Sequence, residues 1–161
     1  MPLEVERKFL LPGAPDWLQE HPSNRIEQGY LAAEDGDEVR LRRRGEQPKL
    51  TVKRGQGEVR EEAEVDLSPE QFDELWPLTE SMRLTKTRYL VPLDDLEVEV
   101  DTFEGDLEGL VTAEIEFESR AAADRFEPPS WLGEEVTGDE RYANQSLVRS
   151  GLPDRASSHS E

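Results

Sequence analysis

The stretch Glu4-Val5-Glu6-Arg7-Lys8-Phe9, near the N-terminus, decides the predicted fold because it alternates between two kinds of side chain. In an extended strand, successive side chains point to opposite faces. Glu4, Glu6 and Lys8 therefore share one face, and the apolar side chains of the stretch lie on the other. The pattern predicts a β-strand with one charged face and one largely apolar face.

Seven later segments repeat this period-two alternation and predict further strands. The predicted strands cover about residues 25–33, 39–44, 49–53, 59–66, 83–92, 96–103 and 110–118. Turn signals rich in glycine, proline and aspartate separate most of them, which favours antiparallel hairpins. These turns are Asp35-Gly36-Asp37, Gly45-Glu46-Gln47-Pro48, Gly55-Gln56-Gly57 and Glu104-Gly105-Asp106.

Helices are predicted between some of the strands. The stretch Ser68-Pro69-Glu70-Gln71 combines an N-cap serine, a proline at the first helical position and acidic residues in the first turn. A second helix is predicted to begin after Ser119 and to end at Pro128, and residues 139–149 predict a last helix. Residues 16–20 predict a short helical turn.

Eight short antiparallel strands with a few helices predict an α+β fold built on an eight-stranded antiparallel β-barrel. The helices need an apolar surface, so we expect them to pack outside the barrel against the apolar strand faces. The charged faces would then point inward and form a polar tunnel. The alternative is an ordinary small barrel, apolar inside, whose charged faces are solvated. Residues 1–150 are predicted to form one domain, and the Ser-rich tail 151–161 is predicted to be disordered.

The composition excludes several classes of function. The chain has 161 residues and a formal net charge of −19, which argues against DNA, RNA or an anionic membrane surface as a partner. It contains no cysteine, so disulfide and thiolate chemistry are excluded. It has no apolar run long enough to span a membrane and no signal peptide pattern, so we expect a cytoplasmic protein.

The distribution of lysine indicates that the charged strand faces are more than a solvated surface. The chain has four lysines, Lys8, Lys49, Lys53 and Lys86, and each lies on the polar face of a predicted strand. Rows of lysine and arginine suit phosphate oxygens, and clustered carboxylates suit Mg²⁺ or Mn²⁺. A tunnel that holds both therefore predicts metal-assisted chemistry on a phosphate compound.

Other catalytic classes fit the sequence less well. His21 and His159 lie in a Pro-rich break and in the tail, and they do not have the spacing of a zinc site. No Gly-rich loop precedes a helix, so a P-loop or Rossmann nucleotide site is excluded. A serine or cysteine triad has no candidate base.

The stretch from Glu4 to Lys8 resembles the ExExK signature of CYTH-domain proteins, also called triphosphate tunnel metalloenzymes. The resemblance covers about residues 1–150 in chain order and is strongest to short bacterial members. Besides the signature, the segments that carry it are 28–31, 39–42, 50–53, 60–64, 85–89, 97–109, 113–116, 135–139 and 141–144.

The resemblance implies a tunnel that binds a small-molecule triphosphate with one or two Mg²⁺ or Mn²⁺ ions. The residues that would bind substrate are Lys8, Arg40, Arg42, Lys53, Lys86 and Arg88. Those that would hold metal or orient the attacking water are Glu4, Glu6, Glu62, Glu64, Glu114 and Glu116. Catalytic roles fall to Glu4, Glu6, Lys8 and Tyr30, and the C-terminal helix, with Tyr142 and Asn144, would close one end.

The function that this resemblance implies is hydrolysis of inorganic tripolyphosphate to pyrophosphate and phosphate, by in-line attack of a water that a metal ion or a glutamate activates. A nucleoside or thiamine triphosphatase and an adenylate cyclase remain alternatives in the same tunnel. A module that binds polyphosphate or nucleotide without turnover is a further alternative. The chain is expected to be a monomer or a homodimer. Arg44, Lys49, Glu97, Glu99 and Asp101 share the polar faces but receive no assigned role.

Overall fold

The computed structural model describes residues 5–34, 37–55 and 61–153. Within these residues, eight strands form one antiparallel sheet, and three short α-helices accompany it. The strands are β1 (Val5–Leu11), β2 (Ser23–Glu34), β3 (Asp37–Arg44), β4 (Gln47–Arg54), β5 (Glu61–Asp66), β6 (Arg83–Leu93), β7 (Leu96–Phe103) and β8 (Val111–Phe117). The helices are α1 (Pro69–Leu75), α2 (Arg120–Arg125) and α3 (Asn144–Ser150). The prediction of eight antiparallel strands is confirmed.

The strand order in the sheet is β1-β8-β7-β6-β2-β3-β4-β5. Most neighbours are hairpins of consecutive strands, because short turns bring adjacent segments side by side. Two pairings join distant parts of the chain: β1 pairs with β8, and β2 pairs with β6. The N-terminal strand therefore lies beside the last strand, and β5 forms the opposite edge.

The prediction of a closed barrel is only partly supported, because no pairing joins β1 to β5 in the part of the chain that is described. A later segment of the chain occupies the other edge of β1. The amide of Leu10 donates to the carbonyl of Glu134, its carbonyl accepts from the amide of Gly133, and both N···O distances are 2.8 Å. The amide of Val136 donates to the carbonyl of Lys8, also at 2.8 Å. This segment satisfies backbone groups that strand β5 would need for closure.

The helices follow their sequence signals with two differences, and the first is that α2 ends at Arg125, before its predicted end at Pro128. Helix α1 begins with a capping box in which Ser68 and Gln71 each accept a hydrogen bond from the other's backbone amide, as its N-cap serine predicts. The predicted last helix is interrupted, because Ala143 has extended backbone angles (φ −68°, ψ 143°). A 3₁₀ turn over Glu140–Tyr142 precedes this residue, and α3 follows it.

The apolar sheet face and the surrounding segments form the main core. Phe9, Val98, Val100 and Ile115 of the sheet are essentially inaccessible and pack with Ala123 of α2. Helix α1 buries Phe72 completely. The expectation that helices pack against the apolar face is thus met by α1 and α2. None of the helices in the described ranges is long and apolar enough to cross a membrane.

Helix α3 lies elsewhere, at one end of the polar sheet face. Leu147 is buried against Leu84 of β6, Phe103 of β7 and Leu107. In register, Leu84 and Phe103 continue the rows that carry Lys86 and Asp101. The rows of charged residues therefore end in apolar side chains, and α3 covers them.

Candidate active site

Strand register places the charged residues on one continuous face of the sheet. Residues directly opposite each other on neighbouring strands point to the same face. Lys8 pairs with Glu114, and Glu114 with Glu99, so β1, β8 and β7 contribute to this polar face. Further along the sheet, from β7 to β5, the same face carries the pairs Arg88–Asp101, Gln28–Arg42, Arg42–Lys49, Glu38–Lys53 and Lys53–Glu62.

The polar face is deeply buried at its centre, on β6 and β7. The side chains of Lys86 and Asp101 are each 2% exposed, and that of Arg88 is 11% exposed. Charges on a solvated outer face would not be covered in this way, so the alternative of an apolar barrel with solvated charges is wrong. Burial of this depth requires each charge to be paired or to bind a ligand.

Asp101 of β7 holds the two buried cations of β6 together. Its Oδ1 and Oδ2 accept hydrogen bonds from Nε and Nη2 of Arg88, both at 2.8 Å. Oδ2 also lies 2.9 Å from Nζ of Lys86. Nη1 of Arg88 lies 3.3 Å from Glu99 Oε1, and its Nη2 lies 3.8 Å from Glu114 Oε1. Arg88 therefore spans from β6 to carboxylates on both β7 and β8.

The charge states of this cluster follow from burial and mutual attraction. Burial favours the neutral form of Asp101, but the charges and hydrogen bonds of Lys86 and Arg88 outweigh it, and they lower the pKa of Asp101. Burial lowers the pKa of Lys86, and Asp101 offsets part of that effect. Burial likewise opposes the charge of Arg88, yet the hydrogen bond and charge of Asp101 raise its pKa.

Arg40 and Arg42 of β3 form a second cationic group, and it is incompletely paired. Nε of each guanidinium is buried without a hydrogen-bond partner among the described residues. Burial lowers the pKa of Arg42, and the neighbouring charges of Arg88, Arg40 and Arg44 lower it further. Buried donors that are crowded by like charges and lack a partner are the surroundings that an anion would relieve.

The carboxylates of Glu6 and Glu114 interact directly across β1 and β8. Glu6 is an exposed residue, yet partial burial of its carboxyl, together with the hydrogen bond and charge of Glu114, raises the pKa of Glu6 to about 8. Burial also opposes ionisation of Glu114, but the hydrogen bond from Glu6 and the charges of Lys8, Lys86 and Arg88 prevail and lower its pKa. Near neutral pH, Glu6 holds the proton that this carboxylate pair shares.

The other predicted carboxylates are distributed over two edges of the sheet. Glu116 lies opposite Glu6 in the register of β1 and β8. Glu62 and Glu64 lie on β5, where Glu62 Oε1 is 3.7 Å from Lys53 Nζ and Glu64 accepts a hydrogen bond from Thr51 Oγ1 at 3.3 Å. The structure therefore does not gather the predicted metal ligands into one cluster. Glu4 lies outside the described residues.

Lys8 and Lys53 lie on the polar face, near opposite edges of the sheet. Nζ of Lys8 donates to the carbonyl oxygen of Tyr142 at 2.6 Å, so it contacts the segment just before α3. Lys53 is 22% exposed and contacts Glu62. Both ammonium groups therefore reach the polar face without the deep burial of Lys86.

Tyr30 of β2 lies inside the polar face and is almost fully buried. Its hydroxyl accepts a hydrogen bond from Nε2 of Gln28 at 3.0 Å. Burial raises the pKa of Tyr30, and the charge of Glu38 contributes, whereas Arg40 acts in the opposite direction. The phenol is thus held neutral beside a guanidinium of the cationic group.

The chemistry of the donors fits a hard divalent cation. In the described part of the chain, no three carboxylate or imidazole groups stand close enough to enclose a metal ion. Mg²⁺ rarely requires such a cage, because it is usually bound by one or two carboxylates together with waters and substrate phosphates. The carboxyl groups of Glu6 and Glu114 share a proton, and a metal cation could take the place of that proton. The charges of Lys8, Lys86 and Arg88 act on Glu114 from the same face of the sheet. Two oxygen-donor side chains beside a phosphate site meet this requirement.

Sequence reasoning left several site residues without a role or missed them. Asp101 was placed on the polar face without a role, although it organises Lys86 and Arg88. Gln28 and Glu38 were overlooked, and both stand two residues from a predicted site residue of the same strand, so strand phase could have found them. Gln145 of α3 donates from Nε2 to Oε1 of Glu38 at 3.2 Å, and strand phase carries no signal for a helical residue.

Four matches with known proteins agree with this geometry. The family model of the CYTH domain matches residues 2–150. An inorganic triphosphatase of Nitrosomonas europaea is 45% identical over 150 residues, which cover 91% of this chain and 97% of that protein. An inorganic triphosphatase of Acetivibrio thermocellus is 38% identical over 149 residues, or 91% and 93% of the two chains. A crystal structure of an inorganic triphosphatase superimposes with a TM-score of 0.79 at 42% identity, covering 95% of this chain and 99% of that one.

Proposed function

Because this chain belongs to the CYTH domain family, we propose that it is an inorganic triphosphatase. It would cleave tripolyphosphate with water into pyrophosphate and phosphate. The observation that carries the proposal is the polar face, buried at its centre, where the cations of β3 and β6 lie beside a pair of carboxylates on β1 and β8. The two relatives that cover more than nine-tenths of the chain are both inorganic triphosphatases.

The cations would bind the phosphate chain. Arg40 and Arg42 have buried, unpartnered Nε atoms, and a guanidinium can bind phosphate oxygens through two parallel hydrogen bonds. Lys86 and Arg88 are held rigidly by Asp101, so binding substrate would cost them little conformational freedom. Lys8 and Lys53 would complete the set from the two edges of the sheet. These cations would also neutralise charge that develops in the transition state.

The carboxylates would hold the metal. We assign Glu6 and Glu114 as ligands from their direct contact, with Glu4 and Glu116 beside them in sequence or register. A bound Mg²⁺ or Mn²⁺ ion supplies charge neutralisation of the phosphate oxygens and lowers the pKa of water. Glu62 and Glu64, which contact groups on β4, would hold a second ion or orient water from the β5 edge.

The side chains then divide the remaining work. The carboxylate of Glu4 or of Glu6 would orient the attacking water and accept its proton, as the water oxygen bonds to a terminal phosphorus atom. The bridging P–O bond on the opposite side breaks, and the leaving pyrophosphate keeps its electron pair. Lys8 would bind the oxygens that gain charge, and Tyr30, neutral because of burial, can donate a hydrogen bond to them.

A phosphate-release screen tests the proposal. Purified protein is incubated with tripolyphosphate, ATP or thiamine triphosphate, each with Mg²⁺ or Mn²⁺. We expect the largest kcat/KM with tripolyphosphate and no release when a chelator removes the metal. A higher kcat/KM with ATP or thiamine triphosphate would replace the proposed substrate. Formation of cyclic AMP would replace the reaction.

A further inference from the structure

We propose that Glu38 is a positioning residue for tripolyphosphate: it aims the guanidinium of Arg40 at the substrate and ties it to α3. This inference rests on the proposed function for the identity of the ligand. It concerns a carboxylate that no feature of the resemblance assigns, on the strand that carries the substrate-binding arginines.

Glu38 bridges two parts of the chain. Its Oε2 accepts a hydrogen bond from Nη1 of Arg40 at 3.3 Å, two residues along β3. Its Oε1 accepts from Nε2 of Gln145 in α3 at 3.2 Å. Each oxygen therefore has a different partner, and the carboxylate is locked from both sides.

The hydrogen bond to Glu38 leaves Nε of Arg40 available for an anion. A guanidinium can grip an anion through the edge formed by Nε and Nη2. Glu38 contacts Nη1, which lies outside that edge, and Nε is buried without a partner among the described residues. Arg40 also forms a side-chain hydrogen bond with Tyr30. The carboxylate thus fixes the plane of the guanidinium while Nε remains for a phosphate oxygen.

The burial of Glu38 and Arg40 distinguishes their contact from an ordinary ion pair on the protein surface. The side chains of Glu38 and Arg40 are 9% and 13% exposed, so both groups have lost most of their water. A carboxylate next to an anion site also repels the anion. Its presence is explained if the gain in orientation of Arg40 exceeds that repulsion, since a charged partner can lock a long side chain into one rotamer.

The contact with Gln145 couples this arrangement to the C-terminal segment. The same segment accepts a hydrogen bond from Lys8 through the carbonyl of Tyr142, and Arg149 donates to the carbonyl of Ala33 on β2 at 2.7 Å. Helix α3 is thereby attached to β2 and β3 while its preceding turn is attached to β1. Through Gln145, the seating of α3 would set the position of Glu38 and hence the aim of Arg40.

A double-mutant cycle tests the inference through binding. Titration calorimetry measures the dissociation constant of tripolyphosphate for metal-free wild type, Glu38→Gln, Arg40→Ala and the double variant. We expect Glu38→Gln to weaken binding roughly tenfold, and to change it less than about twofold when Arg40 is already absent. The matched control is Glu27→Gln, which removes a β2 carboxylate that pairs with Arg43 on the opposite face of β3 and should leave binding unchanged.

The direction of the change separates positioning from simple charge. If Glu38 only contributes negative charge, its neutralisation strengthens anion binding, and that result overturns the inference. An equal loss with and without Arg40 overturns it as well, because Glu38 would then act elsewhere. Gln145→Ala gives an independent readout, since we expect a loss of a few-fold in wild type and none in the Arg40→Ala background.

The same measurements distinguish this inference from the proposed function. They need neither metal nor turnover, so a protein that binds tripolyphosphate without hydrolysing it overturns the proposed reaction alone. A protein that hydrolyses tripolyphosphate but shows no coupling between Glu38 and Arg40 overturns the positioning role alone. If Glu38→Gln does not fold, the Gln145→Ala cycle decides the question.

Discussion

Asp101 accepts two hydrogen bonds from Arg88, with 2.8 Å between Oδ1 and Nε and 2.8 Å between Oδ2 and Nη2. Because Lys86 also contacts Oδ2, one buried carboxylate serves two buried cations. Glu99 and Glu114 lie 3.3 Å and 3.8 Å from Arg88, so the two cations stand among three carboxylates. The cluster thus fixes the positions of both cations, while the buried, unpartnered Nε atoms of Arg40 and Arg42 are left for an anionic ligand.

We predict that Asp101→Asn lowers the free energy of unfolding by about 3–5 kcal/mol at neutral pH, because it removes the carboxylate that both buried cations contact most closely. The effect depends on pH. The pKa of Asp101 is lowered in the folded protein, so its stabilisation is present above the ordinary value of about 3.9 and is lost as the pH falls through the folded value.

Urea unfolding of wild type and Asp101→Asn at pH 7 and pH 3 measures this difference. It should be large at pH 7 and smaller at pH 3, and equal differences at the two pH values would contradict the assignment. Glu99→Gln is a suitable control, since Glu99 contacts Arg88 from a more exposed position and should cost less than about 1 kcal/mol.

Glu6→Gln should separate metal binding from folding. At neutral pH, the Glu6 carboxyl is protonated and donates to Glu114, and a glutamine amide can donate in the same way. We therefore expect an unfolding midpoint within roughly 3 °C of wild type in chelator, together with a loss of at least about 100-fold in metal-dependent kcat/KM. Retained activity at saturating Mg²⁺ would show that Glu6 does not bind the metal.

Two adjacent arginines of β3 should give opposite results. Arg42 lies among like charges on the polar face, so Arg42→Gln should leave stability unchanged or raise it by up to about 1 kcal/mol while kcat/KM falls roughly 100-fold. Arg43 lies on the other face, where its Nε donates to Glu27 at 2.9 Å and its guanidinium covers the ring of Phe72 at 4.5 Å. Arg43→Gln should lose about 1 kcal/mol of stability and keep kcat/KM within about twofold.

Thermal unfolding and steady-state kinetics of the two variants provide the measurement. A stability loss in Arg42→Gln that matches the loss in Arg43→Gln would indicate that the cationic group is fully compensated by contacts within the protein. That result would remove a main argument for an anion site.

Gly29→Ala should destabilise the centre of the sheet. A Cβ atom at Gly29 would lie 2.5 Å from Oγ1 of Thr79, which donates to the carbonyl of Trp76 and accepts from Arg83. We expect a loss of about 1–3 kcal/mol in chemical denaturation. Gly13→Ala is the control, because its Cβ would meet no atom within 4 Å and should change stability by less than about 0.5 kcal/mol. Equal effects of the two substitutions would contradict the described packing of Thr79 against β2.

The alternation of side chains along a strand explains why the sequence predicts the polar face well. Side chains of an extended chain alternate strictly, so Lys8, Lys49, Lys53 and Lys86 could be assigned to one face before their strands were ordered. Capping chemistry is equally local, and the helix that begins after Ser68 was predicted for that reason.

Long-range relationships carried no local signal. The pairing of β1 with residues 133–136, which occupies the edge needed for a closed barrel, depends on a loop that shows no strand alternation. The contact of Gln145 with Glu38 joins residues far apart in the chain. The interruption at Ala143 is a single extended residue within a segment of helical composition. These features arise from tertiary packing, which overrides local preference.

The most direct test of the proposed activity is phosphorus NMR of tripolyphosphate incubated with the protein and Mg²⁺. We predict that tripolyphosphate disappears as pyrophosphate and phosphate form in equal amounts, and that Glu6→Gln reduces the rate to about 1% of wild type or less. No phosphate formation above that of the Glu6→Gln variant, with either Mg²⁺ or Mn²⁺, would contradict the proposal that this polar face hydrolyses tripolyphosphate.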